Sequence, residues 1–104
     1  MTAYAVIIRE RTTDPDALAR YRETAPLARE KHLVTPIAFY RPHEVLEGDP
    51  AEGVAILSFP TIAAARAWYS SAEYQAALPH RQHGSISRVI LVAGTDEPVD
   101  ELTE

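Results

Sequence analysis

Three features of the sequence predict an α+β domain in which an antiparallel sheet carries two helices on one face. Runs rich in β-branched and aliphatic residues open, divide and close the chain, at Ala3 to Arg11, Gly53 to Phe59 and Ser85 to Ala93. Between them lie two stretches whose apolar residues recur at steps of three and four, the period of one helical face. The resulting order of strand, helix, strand or hairpin, strand, helix, strand is the split βαβ pattern of a ferredoxin-like sandwich. At 104 residues the chain suits one domain, because each of two halves would bury too little surface to offset the chain entropy lost on folding.

Taken in order, the first strand stops at Thr12-Thr13-Asp14-Pro15. Asp14 is expected to cap the first helix, Pro15 suits the first helical position, where no N–H is needed, and Asp16 complements the positive end. Leu18, Tyr21, Ala25, Ala28 and His32 form a stripe that should face the sheet. Pro26 removes a backbone hydrogen bond, so a kink or break is expected near Thr24 to Leu27. Two short extended pieces follow, around Ile37 to Tyr40 and His43 to Leu46, with Pro36 and Pro42 suited to an edge strand. Glu47-Gly48-Asp49-Pro50 reads as a turn, and Pro60 closes the strand that ends at Phe59. Thr61 is expected to cap a second helix carrying Ile62, Ala65, Trp68 and Tyr69. Ser70 with Glu73 resembles a capping box that restarts it, and Pro79 is expected to end it. The domain is taken as residues 3–94, with residues 95–104 as a frayed acidic tail.

The strands also predict an assembly. Val54, Ile56 and Ser58 point one way and Ala55, Leu57 and Phe59 the other, while Ile86 and Val89 to Val92 supply apolar groups to both faces. Two helices cover only one face, so a second sheet should cover the other, and another copy of the chain can provide it. A homodimer is expected, with Leu57 and Leu91 among the residues placed at its interface.

Composition narrows the functional classes. The net charge is −5 and no Lys/Arg cluster could neutralise a row of phosphates, so nucleic acid is not an expected partner. With no cysteine there is neither a disulfide framework nor a thiolate metal site. No apolar stretch approaches the roughly 20 residues that span a bilayer, and no signal-peptide pattern precedes the first strand. No membrane association and a cytoplasmic setting are the expectations. Gly48, Gly53, Gly84 and Gly94 are isolated, which argues against a phosphate loop, and Ser58, Ser85 and Ser87 lack a nucleophile elbow. The protein is expected to be free of metal and cofactor.

Two segments carry a family resemblance: Phe59-Pro60 with Ala64-Ala65-Arg66-Ala67-Trp68-Tyr69-Ser70-Ser71-Ala72-Glu73-Tyr74-Gln75, and Glu44-Val45-Leu46-Glu47-Gly48-Asp49. They resemble the bacterial family known as domain of unknown function 1330, over roughly Ala3 to Gly94. The resemblance implies a dimeric α/β barrel, in which two ferredoxin-like sheets pack face to face. Relatives in that superfamily include cofactor-free monooxygenases, muconolactone isomerases, polyketide cyclases and haem-handling enzymes, and fold alone selects none of them. The chain departs from the family pattern at Leu33-Val34 and Phe39-Tyr40-Arg41, where glycines are usual, and at His80 and His83.

His32, His43, His80 and His83 are the side chains whose type has an unperturbed pKa near neutrality. His83 and His32 are the candidate catalytic acid and base, since both adjoin segments expected to border the helix-covered face. A solvated loop position for His83 and a capping role for His32 are the simpler alternatives. Arg81 and Arg41 are candidates to hold an anionic oxygen, with Tyr21, Trp68 and Tyr40 as walls of a substrate site. These residues suggest a small cofactor-independent enzyme of isomerase or cyclase type, acting on an apolar oxygenated organic molecule such as a secondary-metabolite intermediate. A non-catalytic ligand-binding or structural homodimer and a cofactor-free monooxygenase are the alternatives.

Overall fold

The computed structural model describes residues 2–96. Its elements are β1 (Ala3–Thr12), α1 (Pro15–Lys31), β2 (Thr35–Phe39), β3 (Gly53–Phe59), α2 (Ile62–Ser70), α3 (Ala72–Gly84) and β4 (Ser85–Ala93). The strands form one sheet in the order β2-β3-β1-β4, and every neighbouring pair is antiparallel. The fold is ferredoxin-like, as the alternation of patterns requires. No helix of the described residues is long and apolar enough to cross a membrane.

Local chemistry explains the boundaries. The Asp14 carboxylate accepts from the backbone N–H of Asp16 and Ala17 at 3.0 and 3.4 Å, and Thr61 Oγ1 accepts from Ala64 N–H at 3.0 Å. The restart of the second helical stretch is capped by Ser71, one residue later than expected, whose Oγ accepts from Tyr74 N–H at 3.1 Å. Both prolines expected to interrupt helices lie inside them: α1 runs unbroken through Pro26 and α3 through Pro79. Each proline removes one intrahelical bond, and packing outweighs that loss. The two helices lie antiparallel, with Lys31 Nζ 3.1 Å from Glu73 at one end. At the other end Gly84 sits so close to α1 that a Cβ there would stand 2.8 Å from Leu18 N. The extended piece expected at His43 to Leu46 is not a strand. Tyr40 adopts a left-handed backbone with φ 55°, which turns the chain off the sheet edge just after β2.

The core lies between the sheet and the helices, where Ala5, Ile7, Leu57 and Phe59 meet Trp68 and Tyr74. Leu57, 1% exposed, therefore belongs to this core and not to an interface, and Leu91 packs against the same cluster. The opposite face is aligned by the register Val6↔Ile56 and Val6↔Ile90, with Ile8 opposite Val54. The middle of this face is apolar, with Ile90 and Val92 44% and 46% exposed, and Arg88, opposite Ile8 and 3.4 Å from Glu10, stands towards one end of it. Beyond β4, Thr2 donates its N–H and hydroxyl to the Asp96 carboxylate at 2.9 and 3.0 Å. The rest of the acidic tail lies outside the described residues.

Candidate functional site

A cleft of about 360 Å³ opens between α1 and the sheet. One wall is a helical stripe of Leu18, Tyr21, Arg22, Ala25, Pro26 and Arg29, which at 1.5 Å per residue extends about 16 Å along α1. The other wall comes from Arg9 on β1, Phe39 and Tyr40 at the end of β2, Arg81 on α3, and Ser85 and Ser87 on β4. Among the described residues four arginines line the cleft and no carboxylate does.

Arg81 is the most confined of these charges. It is 7% exposed, and its Nε is buried without a hydrogen-bond partner among the described residues. A buried guanidinium donor left unmatched is costly and is normally satisfied. The Arg81 carbonyl is held by Ser85 Oγ at 3.0 Å, and Ser85 Oγ lies 2.6 Å from Ser87 Oγ, which fixes the turn from α3 into β4.

Two tyrosines complete the polar surface. The Tyr21 hydroxyl lies 2.9 Å from that of Tyr74, which is fully buried, and the rings meet edge to face with centroids 6.2 Å apart. Burial pushes the Tyr21 phenol well above the usual tyrosine range, the neighbouring Tyr74 adds to the shift, and Arg81 opposes it. Tyr21 is therefore a neutral hydrogen-bond donor at any ordinary pH. Burial also raises the Tyr40 phenol, with Arg9 as the main opposing influence.

Tyr40 is positioned by three features at once. Its left-handed backbone, a conformation that costs a bulky residue of order 1–3 kcal/mol, is anchored by donation from its N–H to Val54 O at 2.9 Å. Its ring lies over Gly53, where a Cβ would stand 2.8 Å from Tyr40 Cδ1. Arg9 covers the ring at 5.0 Å and is itself tied to Glu52 at 3.2 Å. Gly53→Ala is expected to displace Tyr40 and lower stability by roughly 1–3 kcal/mol. Urea denaturation checks this, and a change under 0.5 kcal/mol (roughly the surface-substitution range) would contradict it.

A pH dependence follows from the phenols. The native protein keeps Tyr21 and Tyr40 protonated, whereas in the unfolded chain tyrosine ionises near pH ~10. Above that pH the native state binds more protons, so their contribution to stability is constant below it and declines as pH rises further. Tyr21→Phe should remove part of that decline in denaturation curves taken from about pH 9 to 11.

The structure brings Tyr21, Tyr40 and Arg81 together in the cleft and leaves the other sequence candidates elsewhere. Trp68 is 1% exposed and packs in the core between Phe59 and Tyr74, at ring-centroid distances of 5.4 and 4.4 Å. Arg41 is exposed on the connection after β2. His83 is exposed at the end of α3 with Nε2 3.2 Å from Asp14 Oδ2. His32 follows α1 and borders a separate open hollow with Thr2, Val34 and Pro60. No histidine lines the cleft. The residues that sequence reasoning missed are Arg9, Arg22, Arg29, Phe39, Ser85 and Ser87. Arg22 and Arg29 carried a signal, since they stand seven apart beside the apolar stripe of α1 and share one edge of it.

A model of the family described as "Domain of unknown function (DUF1330)" matches residues 2–95. No curated protein matches the chain. Among solved structures, a protein of unknown function from Rhodopseudomonas palustris is 21% identical with a TM-score of 0.69, over 92% of this chain and 84% of its own. The methylated form of that protein aligns with the same identity and TM-score, over 91% and 82%. A dimeric protein of unknown function and ferredoxin-like fold from Bacteroides fragilis is 8% identical with a TM-score of 0.59, over 89% and 96%. At such identities the likeness concerns the fold.

Proposed function

The chain belongs to the DUF1330 family, and from that premise and the cleft chemistry we propose that it is a homodimeric protein that takes up a small organic anion between α1 and the sheet. The observation that carries this reading is Arg81, buried in a cleft where, among the described residues, its Nε has no hydrogen-bond partner and no carboxylate lines the wall. A ligand carboxylate or enolate oxygen would accept from Arg81 and from the neutral Tyr21 hydroxyl. The apolar body would lie against Leu18, Ala25 and Tyr40. The apolar open face and the dimeric Bacteroides fragilis neighbour both support the homodimer.

Isomerase or cyclase chemistry is the second reading, favoured by the pairing of a phenol held neutral with a nearby guanidinium. Together they suit an oxygen that gains negative charge as a substrate enolises. Among the described residues no histidine or carboxylate lines the cleft, so a basic oxygen of the substrate itself would take the proton from carbon and return it at the new position.

Titration calorimetry with benzoate, the simplest apolar carboxylate probe, tests the binding reading. The protein should bind benzoate, more weakly as salt rises, and Arg81→Met should lose roughly tenfold to a hundredfold in affinity, the range of a charge-assisted hydrogen bond. The same variant should keep or raise its melting temperature, because it removes a buried charge that has no acidic partner. No binding by the unchanged protein, or undiminished binding by Arg81→Met, would overturn the proposal.

A further inference from the structure

The distribution of charge along the cleft goes further than the presence of a single anion site. Arg81 sits on α3, where that helix passes Leu18 and Tyr21 near the start of the α1 stripe. At the other end, half-buried Arg29 holds its guanidinium 5.3 Å above the ring of Phe39, and Arg22 stands between them on the same edge. Stacking on a ring occupies the face of a guanidinium and leaves its edge N–H groups free to donate. The arginine ion pairs among the described residues are Arg9 with Glu52 and Arg88 with Glu10, so none engages Arg22, Arg29 or Arg81. Between the Arg81 and Arg29 ends the α1 wall is apolar apart from Arg22, with Leu18, Ala25 and Pro26, and across from it Tyr40 is covered by Arg9, which is already paired with Glu52.

From this arrangement we infer that the ligand is an elongated dianion, with one carboxylate at Arg81 and Tyr21, a second at Arg29 and Arg22, and a flat apolar body between. A monoanion would leave the Arg22 and Arg29 end without a countercharge. The inference rests on the anion reading above and adds the ligand's second charge and its length.

Biphenyl-4-carboxylate and biphenyl-4,4′-dicarboxylate share one body and differ by the second carboxylate, so their comparison by calorimetry isolates it. The dicarboxylate should bind at least about tenfold more tightly at low salt. The double variant Arg22→Gln/Arg29→Gln should abolish that gain, bringing the dicarboxylate down to the affinity that the monocarboxylate has for the same variant. Arg81→Met should weaken both probes. Equal binding of the two probes, or a gain that survives the double variant, overturns the dianion while leaving the single anion site in place. Binding of neither probe overturns both, and circular dichroism of each variant separates loss of a contact from loss of the fold.

Discussion

The protein is expected to scatter light at twice its chain mass, and Ile90→Asp is expected to reduce that to the chain mass. Ile90 lies on the sheet face away from the helices, opposite Val6, which pairs on its other side with Ile56. In an antiparallel sheet with one face in water, that face alternates to polar residues. Here Val6, Ile8, Val54, Ile56, Ile90 and Val92 make most of it apolar, with Arg88 opposite Ile8 and Ser58 opposite Tyr4 as polar members towards its ends. Such a contiguous exposed patch marks an association surface. Because Ile90 is 44% exposed in the protomer, an aspartate there is tolerated by the isolated subunit. In the proposed face-to-face sheet contact it would become a buried, unpaired charge, whose burden is several kcal/mol by order of magnitude. A monomeric mass for the unchanged protein at micromolar concentration would contradict the dimer. Leu57→Asp is a different experiment, since Leu57 is core and its replacement should unfold the subunit.

Trp68→Ala is expected to be the most destabilising single truncation, by roughly 3–5 kcal/mol. Trp68 touches Phe59, Tyr69 and Tyr74 and is 1% exposed, so its removal opens a large cavity under the sheet. In a domain of this size each kcal/mol moves the melting temperature by roughly 4–8 °C, so the loss is easily seen by calorimetry. The milder Trp68→Phe should keep the fold and leave benzoate affinity within about twofold, because the ring does not border the cleft. A large loss of binding in a stable Trp68→Phe protein would return this residue to the site.

The fold was legible because periodicity reports which face is buried, and β1, β3, β4 and the caps at Asp14 and Thr61 all follow from local pattern. The prolines misled because a local rule met a tertiary one. Pro26 and Pro79 each remove a hydrogen bond, but the packing of α1 on α3 holds both helices through them. The site was only partly legible. Tyr21 stood out as a polar aromatic on an apolar stripe, and Arg81 as a charge next to a helix end. That Arg81 is buried, that Arg29 stacks on Phe39, and that Tyr40 turns inward over Gly53 depend on contacts between distant segments. An isolated glycine looks the same in sequence whether it opens a turn, as Gly48 does at φ 100°, or clears room for a ring. The histidines drew attention for their chemistry, which says nothing of where they point, and His83 points to Asp14 outside the cleft.

A crystal structure of the protein grown with a saturating concentration of benzoate tests the central claim most directly. The account predicts benzoate in the cleft along α1, with a carboxylate oxygen about 3 Å from the Arg81 guanidinium and the ring against Leu18 and Tyr40. Benzoate bound away from Arg81, or a cleft without it while solution binding is saturated, would contradict the account.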